Sequence, residues 1–219
     1  MYTKSNQLIS LQNPFQQLMP FALQWLSITE DDFFPISQLP EALPETLKRV
    51  YQIAKSKPDI LHKFQKQDYL LDVDELRFYE DRVVFLVENQ GCWTCETEIY
   101  QVDPAIYVNH SQLKKDKSET KLVHERLSAF LTTFVLQELT LSSEYVFFEI
   151  DDLTFFKEKG LPIQPLWMDA PHVWTGMKAH FHLINDSILT MIDEDSGTGF
   201  AGTQNEEMYD LLTEIGGEI

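Results

Sequence analysis

Val83-Val84-Phe85-Leu86-Val87-Glu88-Asn89-Gln90-Gly91-Cys92-Trp93-Thr94-Cys95-Glu96 is the stretch that decides the fold. Five consecutive apolar residues, mostly β-branched or aromatic, run into a polar triplet and a glycine before a second strand-like run begins. A continuous apolar run this short, bounded by turn residues, fits a strand buried on both faces. Gly91 can take the positive φ that a tight reversal needs, so the pattern predicts a hairpin bending at Asn89 to Gly91. Upstream, Leu76-Arg77-Phe78-Tyr79 enters the same strand through Glu80-Asp81, which predicts a second hairpin. Three antiparallel strands then make a meander with 83–87 in the middle.

Outward from the meander, toward the N-terminus, Asn13-Pro14 reads as a cap and first turn. Phe15, Leu18, Met19, Ala22, Trp25 and Leu26 follow at near-helical spacing. Pro20 lies inside that pattern and is expected to kink or split the helix. Thr29 to Pro35 reads as a loop or short turn. A second helix opens at Pro44 and runs to about Lys55, with Leu47, Val50, Tyr51 and Ala54 on one stripe. A third begins after Ser56, with Pro58 in its first turn and Leu61 and Phe64 inward.

Toward the C-terminus, Asp103-Pro104 breaks the sheet and 105–108 reads as a short extra strand. Lys114-Lys115-Asp116-Lys117-Ser118-Glu119-Thr120 is the most polar stretch and an expected exposed loop. A helix follows whose apolar face would carry Val123, Leu127, Phe130, Leu131, Phe134 and Leu139. His124, Glu125, Ser128, Thr132 and Gln137 would lie opposite. Residues 145–150 fit a strand or a buried helix, and Pro162, Pro165 and Pro171 mark an irregular connection. From Trp174, Met177, Ala179, Phe181 and Leu183 alternate with Lys178, His180 and His182, as in a strand. Asn185-Asp186-Ser187 turns the chain into 188–192. A closing helix spans about 205–215, ending at Gly216-Gly217. These elements predict an α+β fold: an antiparallel sheet of about five or six strands with helices packed mainly on one side.

Composition narrows the function. The 219 residues carry 35 acids against 17 Lys and Arg, a net charge of −18. Such a chain repels phosphate backbones and anionic bilayers, so neither nucleic acid nor membrane is an expected partner. The second part is the more acidic: residues 141–219 hold 15 acids and three lysines. Asp151, Asp152, Asp193, Glu194 and Asp195 could form a face that steers a basic protein, or simply a solvated surface. Two cysteines make no disulfide framework, and no apolar leader or membrane-length run is present, so a cytoplasmic protein is expected.

Each motif with chemical potential has a plainer reading. Cys92-Trp93-Thr94-Cys95 spaces two thiols as redox proteins do, but reactivity needs a helix N-terminus and this pair falls in a strand. Gly197-Thr198-Gly199-Phe200-Ala201-Gly202 matches a dinucleotide fingerprint without the βαβ unit or the downstream acid, and reads as a flexible loop. His180 and His182 share a strand face, with His172 or Asp193 as conceivable third ligands, but nothing in the spacing requires a metal and a partly solvated polar face is the preferred explanation. Asp72, Asp74, Glu75, Glu149, Asp151 and Asp152 are too numerous for any pair to stand out as catalytic. His124 is expected to be exposed on its helix. No metal and no cofactor is implied. Glu88, Asn89 and Gln90 either tie down their hairpin by bonding backbone groups or, with Trp93, line a partner-binding edge.

Phe85-Leu86-Val87-Glu88-Asn89-Gln90-Gly91, then Trp93, then Asp103-Pro104-Ala105-Ile106-Tyr107 resemble the signature of the SUKH superfamily. Leu43-Pro44, Leu70-Leu71 before Glu75-Leu76, and Leu127-Ser128-Ala129-Phe130-Leu131 follow in the matching order. Cys95 stands where many relatives have tryptophan, and Ala105-Ile106 where proline-valine is usual. The resemblance covers about 39–140. It implies a single SUKH-like domain over 1–219, with a helical N-terminal segment at 1–38 and an acidic C-terminal part at 141–219 containing a strand hairpin and a terminal helix. It also implies a non-catalytic protein-binding role. The superfamily includes bacterial immunity proteins that neutralise polymorphic toxins and fungal regulators of cell-wall glucan synthesis. The expected partner is therefore a basic toxin domain. The alternatives are a regulatory or scaffolding module and, from another class, a metal- or carboxylate-dependent hydrolase.

Overall fold

The computed structural model describes residues 14–57, 60, 64–109, 120–148, 150, 153–171, 178–193 and 199–214. It is mixed α+β, with two antiparallel sheets of six and five strands. The chain divides into two compact units, Met19–Glu138 and Met1–Leu18 with Leu139–Ile219.

The first unit holds the meander. Helix α1 (Pro14–Leu26) continues through Pro20 without splitting, and α2 (Glu45–Ala54) starts directly after Pro44. The strands are β1 (Asp68–Leu70), β2 (Arg77–Tyr79), β3 (Arg82–Glu88), β4 (Thr94–Glu98), β5 (Ile106–Asn109) and β6 (Thr120–His124). They run in the order β1-β3-β4-β5-β6, with β2 also paired to β3. As the apolar run predicts, β3 is central, and Val83, Val84, Phe85 and Leu86 are all buried. Val84 stands opposite Glu96 but Leu86 opposite Cys95, so Phe85 is the extra residue of a bulge. Phe85 meets Phe130 edge-on, with centroids 6.2 Å apart. Burying each such ring stabilises the fold by about 2–3 kcal/mol.

Two sequence expectations fail at the next helix. Val123 and His124 belong to β6, not to a helix, and His124 is half-buried. Helix α3 spans Leu127–Leu141, and every residue from Leu127 to Thr140 is buried, including Ser128, Thr132 and Gln137. Its polar side is not turned to water: the Thr132 hydroxyl donates back to Ser128 O (2.7 Å), which satisfies it inside the helix. The helix expected after Ser56 and the loop at 114–119 fall largely outside the described residues.

The second unit contains β7 (Tyr145–Phe148), α4 (Thr154–Glu158), β8 (Ile163–Pro171), β9 (Lys178–Ile184), β10 (Ile188–Asp193), β11 (Gly199–Thr203) and α5 (Glu206–Thr213). Its sheet order is β7-β11-β10-β9-β8. Asn185 and Asp186, both at positive φ, make the turn between β9 and β10. Asn205 caps α5 by accepting from Glu207 N (2.8 Å). The proline-marked stretch is not an irregular connection but β8. Pro165 and Pro171 are tolerated because β8 is an edge strand whose register slips near Trp167.

The glycine motif is likewise corrected: 199–202 lies in β11, inside the sheet. A Cβ on Gly202 would stand 2.3 Å from Thr140 O, and one on Gly199 would stand 2.1 Å from Met191 O. Close backbone approach, not phosphate binding, explains both glycines.

Candidate partner-binding surface

At the 88–93 turn, Gly91 has φ +71° and donates its N–H to Glu88 O (2.8 Å). The Glu88 carboxylate accepts from Cys92 N (3.0 Å), so this acid ties down the turn from within. Glu88 and Trp93 are buried, and only Asn89 and Gln90 face solvent. Trp93 is therefore a core residue, and this turn offers no aromatic anchor. Asp193 is buried too, which removes it from any solvent-facing acidic surface. Asp151, Asp152, Glu194 and Asp195 lie outside the described residues.

The motif chemistry resolves into structure. Cys92 sits in the turn rather than in a strand; Cys95 is buried in β4, where burial and then the Asp68 charge push its thiol up. A protonated, enclosed thiol is a poor nucleophile. His180 is half-buried and His182 buried, not partly solvated. Burial, then the His180 and Lys157 charges, lower His182 to about 4. Among the described residues no three His, Cys, Asp or Glu side chains are placed to hold a metal ion, and His172 lies outside them.

The most strongly raised acids, neither singled out from sequence, are Asp68 and Glu138. Glu138 is 0 % exposed and accepts from the backbone N–H of Lys66 (2.8 Å) and Gln67 (3.3 Å). Asp68 is 3 % exposed. Burial is the first cause raising both pKa values, and the Glu138 charge raises Asp68 further. The Glu138 carboxylate anchors the chain entering β1. Both acids are shut away from solvent.

The two most exposed large apolar side chains among the described residues lie toward the opposite end of the first sheet. There the β2–β3 turn and the β4–β5 loop meet: Ile99 N donates to Asp81 O (2.9 Å). Tyr100 N donates to Ala42 O (2.9 Å), and the Thr46 hydroxyl donates to Val102 O (3.2 Å). Gln101 bridges back to Glu98 (2.5 Å). Next in the chain, Asp103 accepts from Ser128 N (2.6 Å), Ser128 Oγ (2.7 Å) and Arg126 Nε (2.9 Å), which caps α3 and fixes the loop's far end.

On this clamped backbone Tyr100 is 77 % exposed, Val102 79 % and Tyr79 41 %. Glu80 and Tyr100 both hold positive φ, +50° and +59°, where glycine or asparagine is the easier residue. Glu41, Glu80 and Asp81 are exposed around them, and Glu98 is partly so. Rigid aromatic and apolar side chains ringed by carboxylates can grip a basic, partly apolar surface; they offer no enclosed space for a small molecule. Sequence alone carries the meander on to Val102, so the loop that exposes Tyr100 and Val102 is not legible in it.

Compared with known families, curated proteins and solved structures, the chain matches none.

Proposed function

We propose that this chain is a non-catalytic protein-binding domain, and that its role is that of a cytoplasmic immunity protein that holds a basic toxin domain, as the SUKH resemblance implies. The observation that carries the reading is the clamped edge formed by Tyr79, Tyr100 and Val102 within a ring of acids. A net charge of −18 favours approach by a basic protein and disfavours nucleic acid. The most strongly perturbed acids, Asp68 and Glu138, are enclosed, which fits a structural use better than a hydrolytic one. Co-expression with the product of the adjacent gene tests the role. Growth should be arrested by that product alone and restored when the chain is present. A neighbour that is harmless, or whose toxicity the chain leaves unchanged, removes the immunity reading.

A further inference from the structure

We propose that the loop 99–102, together with the 79–81 turn, is the contact through which this domain binds its partner, and that the partner presents Lys or Arg around an apolar recess that takes Tyr100 and Val102. The inference rests on the binding role given above and assigns it a place.

Three observations converge on this edge. Tyr100 and Val102 are the most exposed large apolar side chains among the described residues, at 77 % and 79 %, whereas loop residues such as Leu43 and Leu71 are buried. Their backbone is held at Ile99, Tyr100 and Val102 by hydrogen bonds to Asp81, Ala42 and Thr46, so little freedom is left to lose on docking. Tyr100 also keeps φ at +59°, a conformation that glycine or asparagine takes more easily.

Charge selects the occupant. Glu41, Glu80, Asp81 and Glu98 stand on the segments that carry the apolar residues. Several nearby cations pair with other acids, Arg126 with Asp103, Arg49 with Glu45 and Arg82 with Glu96; Lys48, on Glu41 O, and the exposed Arg77 stay close to this edge, where the four acids outnumber them. A second copy of the chain would bring the same carboxylates against these and a further net charge of −18, so self-association is the disfavoured occupant. A basic protein surface meets both the charge and the shape.

The test selects displayed random peptides on the full chain and measures a synthetic winner by titration against wild type, Tyr100→Ala, Val102→Ala and the double variant Glu80→Gln/Asp81→Asn. Selected peptides should combine Lys or Arg with an aromatic or aliphatic residue. Tyr100→Ala should weaken binding at least about tenfold, as a buried aromatic anchor does. The charge variant should flatten the salt dependence. Unchanged melting curves show that the variants fold, as expected for exposed positions. No enriched peptide, acidic winners, binding indifferent to Tyr100→Ala, or a dimer that Tyr100→Ala dissolves would each overturn the assignment. Failure here is distinct from failure of the immunity role: rescue by the adjacent-gene test that survives Tyr100→Ala discards this contact and keeps the role. Peptide binding at Tyr100 without any rescue does the reverse.

Discussion

Glu138 lies between Gln137 and Leu139 in a helix that has no wet side, and its carboxylate meets two backbone N–H groups instead of water. Asp68 stands close by, with Oδ1 lacking a hydrogen-bond partner among the described residues and Glu88 facing it across the β1–β3 register. Burial, then the Glu138 charge, pushes Asp68 up to about 8, and burial pushes Glu138 up to about 7. Both are raised above their unfolded values near 4. Their contribution is therefore fully present below about pH 4 and is lost as pH rises toward 7 to 8. Denaturant melts of the wild type should show stability declining from pH 5 to pH 8. Asp68→Asn, which removes the charge but not the volume, should decline less, by at least about 1 kcal/mol across that interval. Parallel slopes for the two proteins would refute this. Neither acid stands out in the sequence, because a lone Glu in an apolar helix looks the same whether its neighbours are water or N–H groups from 70 residues away.

At the scale of elements, legibility followed how local the deciding physics is. The 83–96 hairpin was readable because its apolar run and Gly91 act on neighbours a few residues apart, and Gly91 does take positive φ. Val123 and Leu127 sit four apart, so spacing alone reads the end of β6 into α3; only the pairing of Tyr107 with Leu122 and Ile106 with His124 shows the strand. β8 was hidden by its prolines, which an edge position excuses. For the binding edge, the Tyr100 and Val102 residue types were visible. Their clamps were not, since Ala42, Thr46 and Asp81 are distant in sequence.

Gly199 and Gly202 read as a loop motif because close backbone approach leaves no trace in a lone sequence. That approach gives a sharp expectation. Gly202→Ala would force a methyl to 2.3 Å from Thr140 O and 2.5 Å from Ser143 Oγ, so it should destabilise by about 3 kcal/mol or prevent folding. Gly160→Ala has open space and only a φ of +70° to resist it, so it should cost about 1 kcal/mol. Equal midpoints in denaturant for the two variants would contradict the packing of β11.

The whole molecule joins a sheet whose one end is closed by its own turn, through Glu88 and Gly91, to an opposite end where apolar side chains are held out in solvent. A charge of −18 across the chain would draw a basic protein toward it, over a range that salt limits to about 10 Å. Affinity must then come from a few desolvated anchors, and Tyr100 and Val102 are placed to be those. Hydrogen exchange on the chain, alone and with the adjacent-gene product proposed as its partner, is the most direct measurement of this. The expected result is protection concentrated at 79–81 and 98–102, in a one-to-one complex whose partner keeps its mass. Protection confined to 89–92 or to the second unit, or a partner recovered cleaved or modified, would contradict it.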